Sequence, residues 1–122
     1  MALEDELYGI EEGFWLSGKD HFLAHLDERC MLVFPQAGQM HGVLGREDIA
    51  ATASTPNRWR DLRISNRKYL EIADDVSAIS YRADVVRADG EPYSALVSSI
   101  YAAREEGWKL VLHQHSPVME GS

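Results

Sequence analysis

The chain has 122 residues, 45% hydrophobic and 26% charged, and its 20 acidic against 12 basic residues give a formal net charge of −8. That size and balance describe one soluble globular domain, residues 1–122, and the acidity argues against sequence-independent binding to nucleic acid or an anionic membrane. Cys30 is the only cysteine, which excludes an internal disulfide and a cysteine-rich zinc module. Its apolar neighbours, Met31 to Phe34, mark it as a buried thiol. The acidic start, "MALEDELYG", has neither the basic nor the apolar region of a signal peptide. No apolar run reaches the ~20 residues of a membrane span, so a cytoplasmic location is expected.

In chain order, Leu3, Leu7, Ile10 and Phe14 fall on one helical face, widened by Trp15. Glu4, Glu6, Glu11 and Glu12 fall mostly on other faces. Ser17 is placed to cap a second helix whose apolar face is Phe22, Leu23 and Leu26, ending near Asp27. "CMLVFP" reads as a buried strand stopped by Pro35. "QAGQMHGVLG" is turn-rich, with room for a very short strand near Gln39 and Met40. A third helix is expected from about Arg46 to Ala53, with acids in its first turn.

From Arg60 the period changes to two. "RDLRISNRKYLEIA", "VSAISYRADVVRA", "YSALVSSIYAA" and "WKLVLHQHS" read as four long strands joined by turns at Asp74-Asp75, "DGEP" and "REEG". The predicted order is α-α-β-(β)-α-β-β-β-β. A sheet of this length must bury one face, and the three N-terminal-half helices are its available cover. The expected fold is α+β, a strongly curved antiparallel sheet wrapped round those helices as a cone with an open end. Such an interior suits a small-molecule pocket.

This order, with "MLVFPQAGQMHGVLGREDI" and "GWKLVLHQHSP", resembles a small branch of the nuclear transport factor 2-like superfamily from Leu7 to Pro117. That superfamily holds ketosteroid isomerase, scytalone dehydratase, SnoaL-type polyketide cyclases and the association domain of calcium/calmodulin-dependent kinase. The resemblance implies the cystatin-like cone fold, and a second subunit packed on the convex sheet face. It does not bring the isomerase's two acids: the matching positions are Phe34 or Pro35 and Ser99.

The chemistry-bearing candidates are few. His113 and His115 share one face of the last strand, with Cα atoms ~6.5–7 Å apart. A metal there would need a third ligand from His41, His25, Cys30 or a carboxylate, and no spacing fixes one. Neither a metal nor another cofactor is implied. Regular alternation places Trp108, Leu110 and Leu112 in the core and both histidines on the convex face, with Gln114 entering the pocket. One bulge would reverse this. Trp15, Trp59, Tyr81 and Tyr101 are candidates to line an apolar pocket. Tyr81 and Ser99 face the interior as hydrogen-bonding groups. Arg82 and Asp84 have the opposite parity. The stretch Arg58 to Lys68 holds five basic residues against one acid and reads as a solvated strand edge, or as a docking place for a small anion such as a carboxylate; Asp27 reads as a helix-end or turn residue.

Two functions follow. One is a module that binds a small, largely apolar molecule and pairs as a homodimer through the convex face. The other is a cofactor-free acid–base enzyme of isomerase, dehydratase or cyclase type, with His113 or His115 as base and Tyr81 as hydrogen-bond donor.

Overall fold

The computed structural model describes residues 2–34, 41–52 and 59–118. Helix α1 spans Leu3–Leu16 and α2 Lys19–His25; strand β1 spans Leu26–Val33 and β2 His41–Gly45. Helix α3 spans Arg46–Ala51, and strands β3 to β6 span Trp59–Ala73, Val76–Arg87, Pro92–Arg104 and Gly107–Pro117. The six strands form one curved, unclosed sheet in the order β2-β1-β6-β5-β4-β3. The expected α+β cone and its element order are what is found.

Several details differ from the sequence reading. Helix α2 is capped by the Gly18 backbone with no side-chain cap, so Ser17 plays no such part. It ends at His25, because Leu26 turns extended and starts β1. Helix α3 stops at Ala51, and the short strand begins at His41; Gln39, Met40, Ala53 and Arg58 lie outside the described residues. The sheet is not wholly antiparallel: β1 runs parallel to β6, while every other pairing is antiparallel.

Helix α1 crosses the concave face and carries acids at Glu4, Asp5 and Glu6, where they complement the helix dipole. Its Leu7, Tyr8 and Trp15 are buried against Ile79, Tyr81, Val97 and Tyr101 of the sheet. Strand β3 is an edge, and its basic residues blunt it. Arg67 pairs with Asp5 at 3.0 Å and lies over the Tyr8 ring, while Arg60 and Arg63 are exposed. The strand is broken by irregularities beside Asp61 and Asn66, both left-handed at φ 55° and 54°, a conformation Asp and Asn tolerate better than most residues.

The decisive irregularity is in β6. Ile100 of β5 faces Leu112, but the next residue, Tyr101, faces Leu110, so Val111 has no partner opposite. This single bulge flips the strand beyond it. Leu110 points into the core, Leu112 turns out, and His113 comes in, 7% exposed.

On the convex face an apolar row runs across all six strands. Val43, Met31, Leu112, Ile100, Ala78 and Leu70 are successive cross-strand partners. Val43, Met31 and Leu70 are 55%, 42% and 62% exposed. Arg82 and Asp84 pair with each other on the same face.

Candidate functional site

Glu11 is fully buried, the largest departure from the expected pattern. It sits between Leu7 and Trp15 at four-residue steps, so α1 aims it at the sheet with them. Three hydroxyls meet it. Tyr81 and Ser99 donate to Oε2 at 2.5 and 2.8 Å, and Tyr101 donates to Oε1 at 2.6 Å. Tyr81 in turn accepts from Trp15 Nε1 at 2.9 Å. Burial pushes the Glu11 carboxyl above the usual range, and the Tyr101, Tyr81 and Ser99 hydrogen bonds pull the other way. The two tyrosines are raised well above their ordinary value by burial and by Glu11, so both stay protonated donors.

The histidines continue this network. Ser99 Oγ lies 2.7 Å from His113 Nδ1, which is also 3.3 Å from Glu11 Oε2. His113 Nε2 is 2.9 Å from His115 Nε2, and His115 Nδ1 is 3.1 Å from the Tyr93 hydroxyl. Trp15 stacks on His115 at 5.0 Å between centroids, and Phe34 packs against it at 4.6 Å. Burial pushes His113 down to about 4 and, with His113 beside it, lowers His115 further. Both rings are therefore neutral at pH 7, each with one N–H and one lone pair.

A cavity of about 710 Å³ lies between the helices and the concave face. Trp15, Phe14, Phe22 and Phe34 wall it, Leu26, Leu32 and Leu110 lie deeper, and Trp59, Tyr93 and Arg87 stand near Ala88 and Asp89. The exposure of Ala88 and Asp89 marks the mouth. The Arg87 guanidinium lies 5.0 Å from the Tyr93 ring centroid. His113 and His115 reach the lining.

The candidates thus divide. Trp15, Trp59, His113 and His115 line the cavity, the histidines because of the bulge. Tyr81, Ser99 and Tyr101 do not line it; they sit behind it, fully buried round Glu11. Gln114, expected in the pocket, faces the other way and donates to Ser116, since the bulge that brings the histidines in turns it out. Glu11, Tyr93 and Arg87 escaped the sequence reading. The signal for Glu11 was its place in the Leu7–Trp15 row; for Tyr93 it was a shared parity with Ala95, Val97, Ser99 and Tyr101.

The carboxyl beside His113, Glu11, is taken up by three hydroxyls, and the other possible third metal ligands lie elsewhere. His25 packs on His21, and His41 is exposed on β2. Burial raises the Cys30 thiol to about 12, which keeps it protonated. Among the described residues no group of three or more His, Cys, Asp or Glu side chains is arranged to hold a metal ion. Asp27 accepts two hydrogen bonds from Arg104 at 3.0 Å, an exposed pairing away from the cavity.

No family model matches the sequence, and no curated protein matches it. Solved structures do. A protein from Parabacteroides distasonis proposed as a ketosteroid isomerase superposes with a TM-score of 0.77 at 12% identity, over 99% of this chain and 92% of that one. A nuclear transport factor 2-like protein from Cytophaga hutchinsonii gives 0.77 at 12% identity, over 97% and 100%. The association domain of CaMKII from C. elegans gives 0.68 at 15% identity, over 92% and 90%. At these identities the likeness is one of fold, and it is the nuclear transport factor 2-like fold.

Proposed function

We propose that this nuclear transport factor 2-like domain binds a small, largely apolar, ring-containing molecule in its cavity. The observation that carries the reading is the cavity itself: about 710 Å³, walled by aromatic side chains, with His113, His115, Tyr93, Arg87, Asp89 and Thr52 as its polar groups. That volume and that mixture suit a small ligand held by area and oriented by a few polar contacts. Naphthalene and its hydroxylated or carboxylated derivatives are the test ligands, titrated by calorimetry. At least one should bind in the micromolar range, about −8 kcal/mol. Trp59→Ala, which removes an aromatic wall near the mouth, should weaken binding about tenfold. Absence of binding across the series overturns the reading.

We propose further that the domain pairs with a second copy of itself through the convex face. The support is the apolar row across six strands, with three of its members about half exposed or more. The similarity in fold to an association domain points the same way. Light scattering in dilute solution should give a dimer mass for the native chain and a monomer mass for Met31→Glu with Leu70→Glu. A native chain that is monomeric ends this proposal. No helix among the described residues is long and apolar enough to cross a membrane.

Acid–base chemistry on the bound molecule is the second reading. What favours it is the neutral imidazole pair at the cavity wall, linked inward through Ser99 to a buried carboxyl.

A further inference from the structure

Every group between the cavity and Glu11 can both accept and donate one hydrogen bond. Tyr93, His115, His113 and Ser99 are joined in that order by contacts of 3.1, 2.9 and 2.7 Å, and Ser99 reaches Glu11 at 2.8 Å. Each imidazole uses one nitrogen toward the cavity side and the other toward Glu11, so the chain has a direction. With Glu11 ionised, Tyr93 donates to His115 Nδ1, His115 Nε2–H to His113 Nε2, His113 Nδ1–H to Ser99, and Ser99 to the carboxylate. With Glu11 protonated, every bond reverses: the carboxyl donates to Ser99, Ser99 to His113 Nδ1, His113 Nε2–H to His115 Nε2, and His115 Nδ1–H to Tyr93. Tyr81 and Tyr101 remain donors to the carboxyl in both states. Both directions leave every polar atom of the chain paired, and neither places a charge on an imidazole.

We propose that Tyr93, His115, His113 and Ser99 form a proton relay that connects the cavity to Glu11. A weak acid bound beside Tyr93, such as a phenol or an enol, gives its proton to the Tyr93 oxygen. The Tyr93 proton passes to His115 Nδ1, the His115 Nε2 proton to His113 Nε2, the His113 Nδ1 proton to Ser99, and the Ser99 proton to Glu11. One proton leaves the ligand and one arrives at the carboxylate; each group between gains one and loses one. The reversed chain leaves Tyr93 as a donor to the new oxyanion, so accepting the proton and stabilising its product are one event. Glu11 acts at a distance, through groups that alone reach the cavity.

The other ionisable groups packed round the carboxyl hold still. Cys30 on β1, Tyr8 on α1, and Tyr81 and Tyr101 on β4 and β5 are all raised by burial and stay protonated.

Delivery of a ligand's proton rests on the cavity being a binding site, whereas the relay does not. The test therefore uses the chain without ligand, and binding is measured separately. Nitrogen NMR of labelled histidine reports which ring nitrogen carries the proton, and the infrared carbonyl band lost in Glu11→Gln reports the state of Glu11. Between about pH 5 and about pH 9, His113 should pass from Nε2–H to Nδ1–H and His115 from Nδ1–H to Nε2–H. Both should share the midpoint at which the Glu11 carbonyl band disappears. In Glu11→Gln both rings should keep one tautomer across that range. Imidazolium formation at the Glu11 midpoint, tautomers that stay fixed while Glu11 titrates, a Glu11 that never titrates in the range, or tautomer exchange persisting in Glu11→Gln each overturns the relay. If the variant does not fold, the native titration decides.

Discussion

Replacing Glu11 by alanine should lower the unfolding free energy by about 3–5 kcal/mol, read as a fall in the urea midpoint at unchanged slope. Tyr81, Tyr101 and Ser99 are all fully buried and all donate to this one carboxyl. Without it, three hydroxyls compete for acceptors inside the core, and each left unpaired costs about 1–3 kcal/mol. Against that loss stands the relief of no longer burying a charge, a cost the three donors already largely offset. The missing acceptors outweigh the relief, because His113 and the backbone cannot take all three protons. Glu11→Gln keeps the shape and one acceptor oxygen and should lose about 1–2 kcal/mol. An alanine variant as stable as the native chain would mean that the carboxyl is not the centre of this core.

Acidification should destabilise the fold well before ordinary carboxylates titrate. Unfolded histidines take up a proton below about pH 6.5. In the fold, burial holds His113 down to about 4 and His115 lower still. Between those values the unfolded chain binds more protons, so stability rises with pH and falls as pH drops, by about 1.4 kcal/mol per pH unit for each histidine. Glu11 contributes the opposite slope. Its folded value is raised from 4.5, so above that value the folded chain binds the extra proton and this stability is lost as pH rises. From about pH 6.5 to about pH 4.5, two histidines outweigh one carboxyl, and stability falls on acidification by at least about 1.4 kcal/mol per pH unit; His25, partly buried and lowered by that burial, adds in the same direction. Asp27 and Asp84, lowered by Arg104 and Arg82, add their loss only below the usual carboxylate range. Urea midpoints measured across this window should show the slope. His113→Phe with His115→Phe should remove most of it, leaving the carboxyl's opposite share and the smaller share of His25. A native chain with flat stability down to about pH 4.5 would show that the imidazoles are not held neutral.

The architecture was legible because it is written in long periodic signals. The four strands from Trp59 to Pro117 are 15, 12, 13 and 11 residues long, with alternating stretches between their turns, and a sheet that long needs the helices as cover. The site was less so, for two local reasons. Alternation counts residues and cannot see a bulge, so Val111 moved His113 and His115 from the predicted outer face to the inner one and sent Gln114 out. Charge, in turn, is read as exposure. Glu11 satisfies the same four-residue spacing as Leu7 and Trp15, yet the acid reads as solvated until the hydroxyls of Tyr81, Ser99 and Tyr101 are seen converging on it from other strands. Those partners stand 70 to 90 residues away in sequence, beyond the reach of any local pattern.

Strand β6 holds a position that its place in the chain conceals. Among the described residues it is the only strand whose hydrogen bonds join the β1–β2 pair to the β3–β4–β5 meander, pairing with β1 on one side and β5 on the other. A fragment ending before Gly107 therefore contains two pieces of sheet with no ladder between them. The strand that unites them also brings both imidazoles, so the molecule cannot become whole without acquiring its interior chemistry in the same stroke.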